Sequence, residues 1–102
     1  MQKDSEIAIE VKKIIVLIKS NAPGKSVELR IPLYGVIQCV AGGNHRRGTP
    51  PNTVEMSGQT LIQLMNQPTL WVQFCQSAQI QASGVSSDLS EVFAVASAKY
   101  KG

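Results

Sequence analysis

Histidine occurs once in this chain, at His45, and cysteine twice, at Cys39 and Cys75. That scarcity removes whole classes of chemistry at the outset. A thiol nucleophile needs a neighbouring base, and one histidine serving two separate cysteines is a poor supply. The three residues show no paired ligand spacing of the zinc kind, so no metal site is expected. No glycine-rich phosphate loop of the usual spacing is present, so no nucleotide cofactor is implied. Aromatic residues make up 5 % and charged residues 17 %, which leaves ordinary globular composition on the low-charge side. The longest unbroken apolar run, Ile14 to Ile18, is far too short to span a bilayer. Met1 to Glu6 is polar and has no signal-peptide core. The cysteines sit in apolar stretches and read as buried free thiols of a reducing compartment. A cytoplasmic protein is expected, and no enzymatic activity.

What is present fits one domain spanning 1–102. A chain of this size can bury about two thirds of its unfolded surface without staples. The net charge is +3 and the pI about 9.1. The lysines lie toward the two ends, and the arginines are Arg30, Arg46 and Arg47. Such a mild excess, without a recognition helix or interleaved aromatics, points to no nucleic acid.

Periodicity supplies the elements. Ile7, Val11, Ile14, Ile15 and Ile18 form one helical stripe in a segment capped by Asp4 or Ser5 and running to about Ser20. Ile9, Val16 and Leu17 widen its apolar surface, which suits either deep packing or a subunit contact in a homodimer. Asn21-Ala22-Pro23-Gly24 stops it. Ser26 to Ile31 alternates as a strand, Tyr34 to Val40 forms a second, Thr53 to Met56 a third and Gln79 to Ser83 a fourth. Val54, Met56, Ile80 and Ala82 face inward on this reading. Three of the four strands carry a polar face, which predicts an antiparallel sheet with helices on one side only. Ser57 caps a helix holding Leu61, Ile62, Leu64 and Met65. Pro68 ends it and can start a second helix with Leu70, Trp71, Phe74 and Cys75. Ser86 or Ser87 caps a last helix with Leu89, Val92, Phe93 and Ala96.

The loop from Ala41 to Pro51 holds the histidine and two of the arginines. Long loops in small domains are often functional. His45, Arg46, Arg47 and Asn52, with the amides of Gly42 and Gly43, form a candidate anion site. The competing structural reading ties Arg47 to Glu55 or Asp88.

This loop also carries a resemblance. His45-Arg46-Arg47-Gly48-Thr49-Pro50-Pro51-Asn52-Thr53-Val54-Glu55 resembles the signature of a small actinobacterial group of sterol carrier family proteins. Pro23-Gly24-Lys25-Ser26-Val27-Glu28, Gln38-Cys39-Val40, Trp71, Ala82-Ser83-Gly84 and Asp88-Leu89-Ser90 match it too. The resemblance covers about residues 5 to 95. It implies the sterol carrier protein type 2 fold: α+β, an antiparallel sheet of four to five strands covered on one face by helices. Four strands are legible here. It further implies a non-enzymatic carrier without cofactor for an apolar small molecule: a fatty acid, acyl-CoA, phospholipid or sterol-like ligand. Transient contact with a membrane surface goes with such a role. The candidate cavity residues are Val54, Met56, Leu61, Met65, Trp71, Phe74, Ile80, Leu89 and Phe93. The alternative is a structural or protein-interaction module in which the same side chains simply fill the core and the arginine loop docks a partner.

Overall fold

A computed structural model of the chain describes residues 4–42 and 52–102. Helix α1 spans Asp4–Asn21 and buries the stripe Ile7, Val11, Ile14 and Ile18, each at most 4 % exposed. Only that stripe is buried. Ile9 and Val16 stand 57 % and 66 % exposed on the opposite side, so α1 is not packed all round.

The chain then turns into the sheet. Gly24 adopts φ +148°, and a Cβ there would lie 2.2 Å from the Val40 carbonyl, so only glycine lets this turn pass so close to the neighbouring strand. Strand β1 is Val27–Ile31 and strand β2 is Gly35–Cys39. They pair antiparallel from Val27 with Cys39 to Ile31 with Gly35. A tight turn joins them, closed by the Tyr34 N–H donating to the Ile31 carbonyl at 2.9 Å.

Strand β3, Asn52–Met56, runs parallel to β1, with Val27 opposite Asn52. Strand β4, Ile80–Ser83, closes the far side antiparallel to β3. The order is β2-β1-β3-β4 and the sheet is mixed. This corrects the all-antiparallel expectation. Polar alternation reports that one face is wet, and says nothing about strand direction. Direction is set by the connection: β2 ends beside the start of β1, and the chain crosses that end to begin β3 on the other side of β1. Residues 43–51 of this crossing lie outside the described residues, and with them His45, Arg46 and Arg47.

Among the described residues, nothing covers one face of the sheet. This bare face carries Glu28 and Arg30, which form an ion pair, together with Gln38, Thr53, Glu55 and Gln81. Helices α1, α2 (Gly58–Asn66) and α4 (Ser90–Lys101) cover the other face and touch one another. The Ser57 hydroxyl accepts from the Thr60 N–H at 3.1 Å and caps α2 as its residue type predicts. Pro68–Leu70 is a 3₁₀ turn leading into α3, Trp71–Gln76. The last cap differs from expectation. Ser87 bonds back to the Gly84 carbonyl, and the Asp88 carboxylate accepts from the Ser90 N–H instead. Ala82 also departs from its inward assignment. It shares the helix-side face with Ile80, but it lies toward the end of an edge strand and stays exposed.

Candidate ligand groove

Val54, Met56, Leu61, Met65, Trp71, Phe74, Ile80, Leu89 and Phe93 all lie between 0 and 7 % exposed. They belong to one continuous cluster with the α1 stripe and Val27, Leu29 and Ile31. Trp71 and Phe93 meet edge to face, with ring centroids 5.5 Å apart. Ser97, in the middle of α4, donates its hydroxyl to the Met65 carbonyl and so locks α4 to α2 without leaving a buried polar group unpaired. The structure thus brings all nine candidate residues together into one packed cluster.

The fourth candidate of the anion loop, Asn52, is buried at 3 % exposure. Its side-chain amide donates to the Ser26 carbonyl at 2.9 Å, and its side-chain oxygen accepts from the Ser86 N–H at 2.9 Å. Both ends of this carboxamide are therefore spent on pinning the start of β1 to the β4–α4 loop.

Neither thiol is primed for chemistry. Burial pushes Cys39 up to about 11. Cys75 is raised by burial and then by the Asp88 charge. Among the described residues, no group of three or more His, Cys, Asp or Glu could hold a metal ion. No helix among them is long and apolar enough to cross a membrane.

A groove of about 460 Å³ opens at the end of the sheet where β1 and β3 finish and β4 begins. Its apolar floor is Ile7 of α1 and Met56 of β3. One wall is the β1–β2 turn, Pro32-Leu33-Tyr34. The other is the α3–β4 turn with Ala78 and Gln79, and Ser57, Gly58 and Gln59 of the α2 start close the end. Gly58 permits this closeness, since a Cβ there would sit 3.0 Å from both Tyr34 and Val11 side-chain atoms. Gln59 and Gln79 lie at its rim, and Glu55 and Gln81, whose side chains belong to the bare face, border it at the strand ends. A more polar groove alongside shares Ser57, Gln59 and Gln79 with it.

The backbone around the groove is strained. Leu33 has φ +76° and Ala78 φ +64°, in a conformation that side-chain-bearing residues normally avoid. Each costs roughly 1–2 kcal/mol relative to glycine. Leu33 is moreover 98 % exposed, so the same residue bears strain and presents an isobutyl group to solvent. Strain of this kind gathers at ligand clamps and switch regions. Val40, φ +67°, is the one further non-glycine residue of this kind among the described residues, and it lies at the opposite end of the sheet.

Residues 3–95 match the model of a family described as bacterial SCP ortholog, SCP standing for sterol carrier protein. The chain belongs to this family. Among solved structures it is similar to one described as "UbiJ-SCP2 Ubiquinone synthesis protein". The TM-score is 0.56 at 12 % identity, over 100 % of this chain and 98 % of that one. Identity so low shows a shared fold, the sterol carrier protein type 2 arrangement of a sheet with helices on one face. The chain matches no curated protein.

In this member of the sterol carrier ortholog family, the floor residues Ile7 and Met56 are legible in the sequence, and the walls and rim of the groove are not. Leu33, Tyr34, Gly58, Ala78 and the glutamines carry no periodic signal. The readable clue was the tetrad Ile31-Pro32-Leu33-Tyr34, where proline favours a turn whose next position usually demands glycine.

Proposed function

We propose that this sterol carrier ortholog is a non-enzymatic carrier that takes up an apolar ligand through the Ile7–Met56 groove. The observation that carries this reading is the pair of strained, non-glycine turns at Leu33 and Ala78 on opposite walls of that groove. Leu33 extends the apolar floor outward and gives an incoming acyl chain or sterol ring its first contact. Met56 is the gate. It pairs in register with Ile80, and the Trp71–Phe93 core lies in the same buried cluster. Methionine is unbranched and re-packs around irregular guests, so its displacement opens a path between sheet and helices. Each methylene then buried contributes about 0.8 kcal/mol, which offsets the packing energy given up when the sheet and helices part.

The head of the ligand remains between Gln59 and Gln79 at the rim. Among the described residues no cation lines this groove to pair with a carboxylate, so an uncharged head, such as a hydroxyl, ester or sterol alcohol, fits better than a free fatty acid. The anchors of the arginine loop, Gly42 and Asn52, lie at the other end of the sheet, so the headgroup rim is assigned to the glutamines.

Titration with a fluorescent long-chain alcohol, a sterol and a fatty acid tests the reading, with Met56→Trp as a blocked gate. Saturable binding of the neutral ligands below about 100 μM, lost in Met56→Trp while the fold is retained, is the expected result. No binding of any of the three leaves the filled-core interaction module as the better reading, which the continuous buried cluster favours on its own.

A further inference from the structure

Strand β2 is an edge strand of unusual composition. It reads Gly35-Val36-Ile37-Gln38-Cys39, without a charge or a proline, and it pairs with β1 residue for residue, without a bulge. Edge strands are normally protected by lysine, proline or a bulge, because their free N–H and C=O groups template another strand. Among the described residues, no backbone or side-chain hydrogen bond from another element reaches residues 35–39 on the side away from β1. Val36 is 59 % exposed on the bare face of the sheet. On the helix side, Ile15 of α1 lies over the start of the strand, its Cδ1 3.5 Å from where a Cβ on Gly35 would be.

Lys12 and Lys19 flank Ile15 on the same side of α1, three residues before it and four after. Both are exposed, and neither has an acidic partner among the described residues. The free edge therefore runs beside an apolar spot with a cation on each side of it. Helical rise separates the two lysines by about 10 Å along the axis. Same-face positions of an extended strand recur about every 6.7 Å, and the flexible lysine stems absorb the difference.

We propose that the β2 edge binds an extended acidic segment of another protein by strand addition, with an acidic–x–apolar–x–acidic pattern on the face toward α1. Main-chain hydrogen bonds to β2 supply affinity, and the side chains over Ile15, Lys12 and Lys19 supply selectivity. A second copy of this chain is the poorer occupant. Antiparallel pairing of two β2 strands sets the Lys12 and Lys19 flanks of both copies against each other, and like charges there repel. The net charge of +3 favours an acidic partner in the same sense.

The test uses the intact chain and a fluorescein-labelled heptapeptide, Thr-Glu-Val-Leu-Val-Glu-Thr, blocked at both ends, followed by anisotropy and by amide exchange of residues 35–39. Controls are the same peptide with Lys for Glu, and one N-methylated on alternate amides. The protein variants are Lys12→Glu with Lys19→Glu, and Lys13→Glu with Lys101→Glu as an equal charge change elsewhere. The expected result is saturable binding with Kd on the order of 1–100 μM. It weakens at least about tenfold in the Lys12/Lys19 variant and with the Lys peptide, is abolished by N-methylation, and comes with new amide protection in β2. Absence of saturable binding up to about 1 mM overturns the proposal, as does binding that survives N-methylation. Protection of β2 that rises with protein concentration alone also overturns it, and assigns the edge to a second copy.

Discussion

The Tyr100 hydroxyl donates a hydrogen bond to the Glu10 carboxylate and so joins α4 to α1. The bond lowers Glu10 below the usual carboxylate value, helped by the Lys13 charge, and pushes Tyr100 up to about 12. The two shifts act at opposite ends of the pH scale. A depressed carboxylate contributes stability above its unfolded pKa, near 4.5, and loses it as pH falls through the folded value. A raised tyrosine contributes below its unfolded value, near 10, and loses it as pH rises toward 12. Tyr100→Phe is therefore expected to be less stable than the parent between about pH 5 and 9. The difference should shrink at pH 3 and again above pH 11. Urea unfolding at those values checks it, and a pH-independent difference would show that only ring packing matters.

Trp71 anchors the helix layer against Phe93. Trp71→Ala removes a large side chain at 5 % exposure and is expected to cost roughly 3–5 kcal/mol. Denaturant titration followed by circular dichroism measures it, since the fluorescent reporter is gone. A loss under about 1 kcal/mol would mean that the space collapses around the gap.

Asn52 separates a structural role from a binding one. Asn52→Ala leaves the buried Ser26 carbonyl unpaired, which costs roughly 1–3 kcal/mol, while the N–H of the exposed Ser86 can turn to water. Stability should fall by about 1–3 kcal/mol with no change in affinity for phosphate or acyl-CoA. A variant that keeps its stability but loses anion binding would return this residue to the loop site.

Leu33 sets stability against uptake. Leu33→Gly relieves the positive φ at the expense of chain entropy, so stability is expected to stay level or rise by up to about 1 kcal/mol. Uptake of a neutral long-chain ligand should weaken several-fold. A glycine variant that binds as well as the parent would detach Leu33 from the groove's function.

Much of this was open to reading in one dimension. The stripe Ile7, Val11, Ile14, Ile18 named the buried face of α1, the Ser57–Thr60 spacing named the cap of α2, and Pro68 named the break after it. The core residues Leu61, Met65, Trp71, Phe74 and Phe93 followed from helical spacing. The loop signature from His45 to Glu55 pointed to the family whose model matches residues 3–95. These features are local. Each depends on side-chain type at a fixed offset of a few residues, and a chain carries that information along its length.

The direction of β3, the exposure of Ala82, the strained lip at Leu33 and Ala78, and the free edge of β2 were decided elsewhere. They depend on which segments become neighbours after the chain crosses the end of β1, and no period in the sequence encodes a neighbour. Alternation along β1 and β3 is the same whether they run parallel or antiparallel. Leu33 and Ala78 are far apart in the chain and face one groove only because β1 and β3 end together and β4 begins there. Val36 and Ile37 read as ordinary strand residues, and it is the strand order, with nothing among the described residues bonded beyond β2, that leaves their backbone free to pair.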